Sequence, residues 1–408
     1  MKILWVKPGK LLPLDTGGKL RTYNILRHLS TSHEVTYLSY YGGRNRDETY
    51  EQEIQEHLPG AVTIYTASRN VEARDERFDY IRRFPSRAPY AVSKYTAPKA
   101  QELLNQWIPQ RRFDVAICDF LCTVLNFPRN LATPTVLFQH NVETVLWMRK
   151  AQFEPKWLDR LVSKIEYAKM VRFEPEQVRR FHHVVAVSEQ DKETMNSMAD
   201  PAHISVVPTG VDLSKYQYEA DARPSSPLVV FTGSMDWEAN IDGVEYFCQN
   251  IWPRVVSRVP RARFRIVGRD PDARVRALAS DSVEITGSVS SIVEHLREAA
   301  VFVVPLRMGG GTRIKIYEGM AMGKATVSTT VGAEGLDVHH GRDIVLADDP
   351  ASFADAICTL LQDEGARRRY EAAAAETARK YDWSVIAQKF VAVLEKTVED
   401  ASLLERFE

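Results

Sequence analysis

A stretch beginning at Gly309 reads GGGTRIKIYEGMAMGKATVSTT. Three successive glycines, Gly309, Gly310 and Gly311, lead into Thr312, Arg313, Lys315 and Glu318. Glycine lets backbone N–H groups converge, and at a helix start those groups and the positive dipole end attract an anion, with phosphate the natural guest. Glycines also make plain tight turns, and the local pattern leaves both readings open. Other residues with chemical potential fall in similar company. Gly17, Gly18 and Arg21 stand in PLDTGGKLR, His140 closes TVLFQH ahead of Asn141 and Glu143, Gly233 and Ser234 stand in VFTGSMDW, and Arg269 in VGRD. A lone histidine is more often structural than reactive.

These residues need elements to position them. The run AAVFVVPL (299–306) is apolar and bounded by turn chemistry, so it reads as a buried strand, and Ile314, Tyr317, Ala321 and Met322 then recur at helical spacing. The same alternation runs along the chain. KILWV, EVTYLSY, VTIYTA, DVAICDF, TVLFQH, HVVAVSE and ISVVP form one series; LVVFTGS, ARFRIVG, VEITGS, AAVFVVPL, KATVSTT and DIVLAD form another. Strands alternating with helices predict an α/β protein with two parallel, doubly wound sheets. The polar stretch YQYEADARPSSP (216–227) reads as the linker between them. The expected organisation is one doubly wound domain over 1–218, a second over 225–382, and a C-terminal helix over 383–408 that packs back on the first domain. Ligands of such sheets lie beyond the carboxyl ends of strands, where each candidate loop falls.

Composition narrows the class. The chain has 408 residues, 44% hydrophobic and 26% charged, which suits a soluble two-domain protein. A net charge of −1 argues against a nucleic-acid surface. No apolar run approaches the roughly 18 residues of a membrane span, and MKILWVKPGK lacks a signal peptide's apolar core. Cys118, Cys122, Cys248 and Cys358 are scattered and read as thiols rather than a metal site, so the expected location is cytoplasmic. One segment, YIRRFPSRAPYAVSKYTAPK (80–99), has five Lys/Arg, four aromatics and no acid. It suits either a peripheral contact with the inner face of a membrane or a loop snorkelling its charges over apolar surface. The stretch WMRKAQFEPKWLDRLVSKIEYAKMVRFE reads as one or two amphipathic helices for packing or as acceptor scaffold.

Taken together, Gly17–Gly18 with Arg21, His140, VVAVSEQDKE, ISVVPTGVDLSKY, VFTGSM, FRIVGRDP and the long glycine-loop segment resemble the family-4 retaining glycosyltransferases of GT-B fold. More loosely, they resemble a bacterial subgroup associated with exopolysaccharide gene clusters. The resemblance spans nearly the whole chain. It implies two Rossmann-like domains facing across a cleft and a nucleotide diphosphate sugar as donor. It also implies a glycan, lipid-linked or small-molecule acceptor and no required metal or other cofactor. The family's signature of two glutamates with seven residues between them places the second on Glu318, implying that its carboxylate binds the ribose hydroxyls. A solvated helix residue is the plainer alternative. The first glutamate is Gly310 here, a departure. A second departure lies in FTGSMDWEANIDG, where the family's diphosphate-neutralising Arg and Lys are replaced by Ser234 and Ala239.

A nucleoside diphosphate leaves with about one extra negative charge, which fixed cations or dipoles must stabilise. Arg313 and Lys315 are expected to supply it, with Gly310, Gly311 and Thr312 donating N–H groups; a basic exposed helix edge is the alternative. Residues two apart do not share a helix face, so both reach one diphosphate only if Arg313 lies in the loop or first turn. The resemblance places His140 near the reacting sugar. Gly17 and Gly18 would admit phosphates or acceptor, and Arg21 would serve either or face outward. Two rivals remain: a nucleotide-sugar epimerase, and an inactive nucleotide-sugar-binding homologue suggested by Gly310 and Ser234.

Overall fold

The computed structural model describes residues 1–66, 73–154, 156–201, 203–221, 223–308 and 313–405. Gly309, Gly310, Gly311 and Thr312 lie outside the described residues, and with them the expected phosphate cradle.

The apolar runs form strands because a parallel sheet covered by helices on both faces buries every side chain of its central strands. β1 (Lys2–Pro8), β2 (Glu34–Tyr41), β3 (Val62–Tyr65), β4 (Val115–Asp119), β5 (Thr135–Phe138), β6 (His183–Ala186) and β7 (Ile204–Val206) make the first sheet, in the order β3-β2-β1-β4-β5-β6-β7. All pairings are parallel, with Ile3 opposite both Val35 and Val115. The second sheet contains β8 (Leu228–Thr232), β9 (Arg263–Val267), β10 (Val283–Ile285), β11 (Val301–Val304), β12 (Ala325–Ser328) and β13 (Val345–Leu346), ordered β10-β9-β8-β11-β12-β13. Each order reverses beside its first strand. The carboxyl ends of β1 and β4, and of β8 and β11, are therefore the switch points where ligands of doubly wound sheets bind. This is the GT-B architecture of two α/β domains.

The division of the chain differs in part from the sequence reading. One unit comprises Met1–Pro208 with Ile386–Glu408, the other Thr209–Val385. Residues 209–218 thus join the second unit rather than the first. Val211 N–H donates to the Tyr381 carbonyl at 2.7 Å, and Tyr216 O–H donates to Glu318. Within the expected linker, the described stretch 216–221 is correspondingly strapped rather than loose, with Arg297 paired to Glu219 at 3.1 Å. Within the first unit Phe390 stacks on Trp5, ring centroids 5.3 Å apart, and meets Phe138 edge-on at 5.1 Å. The described second-unit core groups Phe247, Phe264, Phe353 and Trp252. All four cysteines are free thiols.

Candidate active site

In the second unit, polar groups converge at the ends of β8 and β9 and the start of helix Ile314–Ala321. The backbone is crowded there. A Cβ on Gly268 would sit 1.6 Å from the Gly233 carbonyl oxygen. A Cβ on Gly233 would come within 2.7 Å of both Lys315 Nζ and Asn240 Nδ2. Gly233 is thus accounted for by the close approach of a lysine. Lys315 Nζ donates to Asn240 Oδ1 at 3.0 Å and lies 4.2 Å from the Phe231 ring centroid. Asn240 in turn donates Nδ2–H to the Ser234 carbonyl at 2.8 Å, which locks the amide. Burial and the neighbouring Arg313 charge push the Lys315 pKa down to about 7, against the attraction of Glu318.

Arg313 occupies the N-cap position rather than the helix proper, which meets the geometric condition for acting beside Lys315. It is 5% exposed, and its guanidinium lies 5.3 Å from the Trp237 ring centroid. Ser234 Oγ donates to Asp236 at 2.5 Å and accepts from Arg269 Nε at 3.0 Å, so Arg269 is tethered to the same loop. Glu318, three residues beyond Lys315 and on the same helix face, accepts from Tyr216 O–H at 2.8 Å. Burial raises the Glu318 pKa, opposed by Tyr216, Lys215 and Lys315. It is half-buried and hydrogen-bonded rather than a freely solvated helix residue.

In the first unit the centre is Asp119, the last residue of β4 and fully buried. Its Oδ2 accepts from Trp5 Nε1 at 3.0 Å and Thr22 Oγ1 at 2.7 Å, and Lys7 Nζ lies 3.3 Å away. Its Oδ1 is 2.6 Å from His140 Nε2, while His140 Nδ1 is 2.8 Å from Arg21 Nη1. A guanidinium only donates, so Nδ1 must accept and the Nε2–H must donate to Asp119. Burial, which outweighs the attraction of Asp119, lowers the His140 pKa to about 3 and keeps the ring neutral at physiological pH. Burial alone would raise the Asp119 pKa, but Lys7, His140 and the hydrogen bonds hold it well below the usual carboxylate range.

Arg21 is buried, not outward-facing, and burial lowers its pKa to about 10. Phe120, with φ of 70°, stacks on His140 at 3.8 Å between centroids, and Lys7 lies 4.0 Å from the same ring. The space that a Cβ on Gly18 would need is filled by Phe120, 2.6 Å away, so Gly18 serves packing; Gly17 opens helix Gly17–Leu29 and is exposed. Glu143 begins helix Glu143–Phe153, whose first N–H groups are capped by buried Glu174 at 2.9 and 2.7 Å. Burial and the Glu174 charge raise the Glu143 pKa to about 7.

The sequence reading missed Lys7, Thr22 and Asp119 in the first unit, and Tyr216, Trp237 and Asn240 in the second. Lys7 and Asp119 carried a signal, being charged residues at the carboxyl ends of apolar runs. Tyr216 and Asn240 carried none, because their roles depend on partners far along the chain. Among the described residues, no three or more His, Cys, Asp or Glu side chains converge as a metal site.

The two doubly wound sheets, with polar clusters at both switch points, define a GT-B protein. The chain belongs to the glycosyltransferases: residues 16–215 match the family described as Glycosyltransferase Family 4, and residues 226–363 match Glycosyl transferases group 1. It is 32% identical over 160 residues to a phosphatidyl-myo-inositol mannosyltransferase of Mycobacterium leprae, a match spanning 38% of this chain but only 43% of that enzyme. It is 24% identical over 380 residues to an uncharacterized 44.6 kDa protein in the cps region of Klebsiella pneumoniae, covering 87% of this chain and 90% of the relative. The sucrose-phosphate synthase of Thermosynechococcus elongatus superposes with a TM-score of 0.71 at 15% identity, covering 97% and 98% of the two chains. Anabaena HepE, solved with UDP and glucose, gives 0.66 at 14%, covering 97% and 100%.

Proposed function

We propose that the protein transfers a hexose-type sugar, with retention of anomeric configuration, from a nucleotide diphosphate sugar to a glycan or lipid-linked acceptor in polysaccharide biosynthesis. The observation that carries this reading is the placement of Lys315. Its ammonium lies against Gly233 and Asn240 at the very loop where Ser234 and Ala239 replace the cations of the resembling family. Arg313 stands two residues before it at the helix cap. Both cations answer the charge that grows on the leaving diphosphate. Glu318 takes the ribose hydroxyls, its remaining acceptor capacity being free of the single Tyr216 bond. Gly17, Gly310, Gly311 and Thr312 stay in the proposal as backbone donors, and Arg269 as a further contact through Ser234.

In this mechanism the acceptor hydroxyl oxygen bonds to the anomeric carbon on the face from which the diphosphate departs. The C–O bond to the β-phosphate breaks with its electron pair going to the phosphate, which receives the hydroxyl proton. No side-chain nucleophile and no metal is required. His140 fits this scheme because its ring is neutral and engaged at both nitrogens. To accept a hydrogen bond from a sugar hydroxyl, Nδ1 must exchange Arg21 for that hydroxyl, since Asp119 retains Nε2. A lipid-linked acceptor is favoured by two relatives, the phosphatidyl-myo-inositol mannosyltransferase and a diphospho-undecaprenol-dependent N-acetylgalactosaminyltransferase of Campylobacter jejuni. The four free thiols support a cytoplasmic site.

The test is turnover of labelled nucleotide sugars with candidate acceptors, with Arg313→Ala as the informative variant. Transfer with retained configuration, lowered about 10²-fold or more in the variant while binding of intact donor changes less, is expected. An isomerised sugar nucleotide formed without acceptor would establish the epimerase instead. Tight binding with no turnover would establish the inactive homologue.

A further inference from the structure

The first unit carries an apolar surface that its own core does not use. In helix Ala73–Arg83, Phe78 and Ile81 stand three residues apart and are 72% and 69% exposed; Phe84 follows, also exposed. The first turns of helix Trp157–Arg180 present Trp157, Leu158, Leu161 and Val162 to solvent, Trp157 being 71% exposed. Residues four apart lie one above another on a helix, so 157 with 161 and 158 with 162 form one stripe. The core face of this helix is elsewhere, at Ser163, Glu166, Met170 and Phe173.

The segment that follows the first helix is tied to the second helix. Lys169 Nζ donates to the Phe84 carbonyl at 2.9 Å and sits 5.0 Å from its ring centroid, while Tyr90 N–H donates to Glu166 at 2.6 Å. Val162 and Lys169 are separated by about 10 Å of helix. Phe84 therefore lies beside the second helix, about two turns beyond Val162.

Scattered exposed hydrophobics need no explanation, but a contiguous group marks an interaction surface. Among the residues whose side chains are described, its rim is mainly cationic. Arg77, Arg82 and Arg87 are exposed around the first helix and Arg160, Lys164 and Arg172 along the second, against Asp159 as the exposed acid within 156–172. Asp79 is engaged by Arg83 at 2.9 Å. By contrast, the later part of the 80–99 segment turns inward: Val92, Ser93 and Ala97 are buried, and Lys94 lies over Tyr90 and Tyr95. The exposed large apolar side chains of this segment are Ile81 and Phe84, both near its start. Large apolar side chains ringed by Lys and Arg match the boundary between anionic headgroups and acyl chains.

We propose that this face docks on an anionic lipid bilayer, with Phe78, Ile81, Trp157 and Leu161 entering the interface and Arg160 and Lys164 meeting headgroup phosphates. The inference goes beyond the proposed transfer reaction and stands without it. The test is co-sedimentation of the full chain with vesicles of phosphatidylcholine, with and without phosphatidylglycerol. Wild type should sediment with the anionic vesicles and be released by salt. The double variants Trp157→Ser/Leu161→Ser and Arg160→Glu/Lys164→Glu should each partition about tenfold more weakly or worse. Both substitute exposed positions and should keep the wild-type melting temperature and vesicle-free hydrolysis of nucleotide sugar. Wild type remaining in the supernatant, or binding undiminished in both variants, would overturn the proposal. So would a dimer, seen by sedimentation equilibrium, that Trp157→Ser/Leu161→Ser dissociates. Loss of transfer with vesicle binding intact would count against the transferase reading only.

Discussion

If Lys315 meets the donor diphosphate as proposed, nucleotide binding should be linked to proton uptake. Its ammonium has Asn240 as neutral hydrogen-bond partner, the Phe231 ring on one side and the Arg313 charge nearby, and its pKa stands at about 7. The groups bearing on it are Arg313, which opposes its charge, and Glu318, which favours it. A diphosphate brought against the ammonium supplies the missing counter-charge and returns the pKa to about 10 or above. The lysine is then mostly neutral before binding at pH 8 and charged after it, so about 0.9 proton is taken up per nucleotide. The sign follows directly: affinity falls as pH rises, by about 50-fold between pH 7 and 9. Titration calorimetry with nucleoside diphosphate in buffers of different ionisation enthalpy reads the proton uptake, and the affinities read the slope. Lys315→Arg, charged throughout, should keep binding and lose both effects; Lys315→Met should bind weakly at every pH. Wild-type affinity that is flat from pH 7 to 9, with no buffer-dependent heat, would refute the reasoning.

Replacing Glu318 with Ala should weaken binding of the nucleoside diphosphate by about 1.5–3 kcal/mol, measured by calorimetry, while leaving the fold intact. Asp119→Asn strands the buried Lys7 charge and should destabilise the first unit by about 3–5 kcal/mol in urea titration. Adding Lys7→Met should restore part of that loss, giving a non-additive cycle. Glu143 has a folded pKa of about 7 against an ordinary 4.5. Its contribution to stability is therefore most favourable below pH 4.5 and is lost as the pH rises to 7. Glu143→Gln should stabilise the protein by up to about 3 kcal/mol at pH 8 and hardly at all at pH 4.5, read from melting temperatures across pH.

The sequence by itself determined the layers. Fully covered parallel strands must be continuously apolar, so LVVFT and VFVV announced themselves, and the intervening helical periodicity implied double winding. It also pointed to the loops past the strand ends, where ligands of such sheets lie and where Gly233 and His140 fall. What only the tertiary structure decided were pairings between distant residues. Nothing local couples Tyr216 to Glu318 or Asn240 to Lys315, yet those bonds draw 209–218 into the second unit and fix the lysine in place. The tautomer of His140 belongs to the same category. A strand-end histidine can hold its proton on either nitrogen, and the choice follows from a buried carboxylate on β4 and a guanidinium on the first helix, brought together only when the sheet forms.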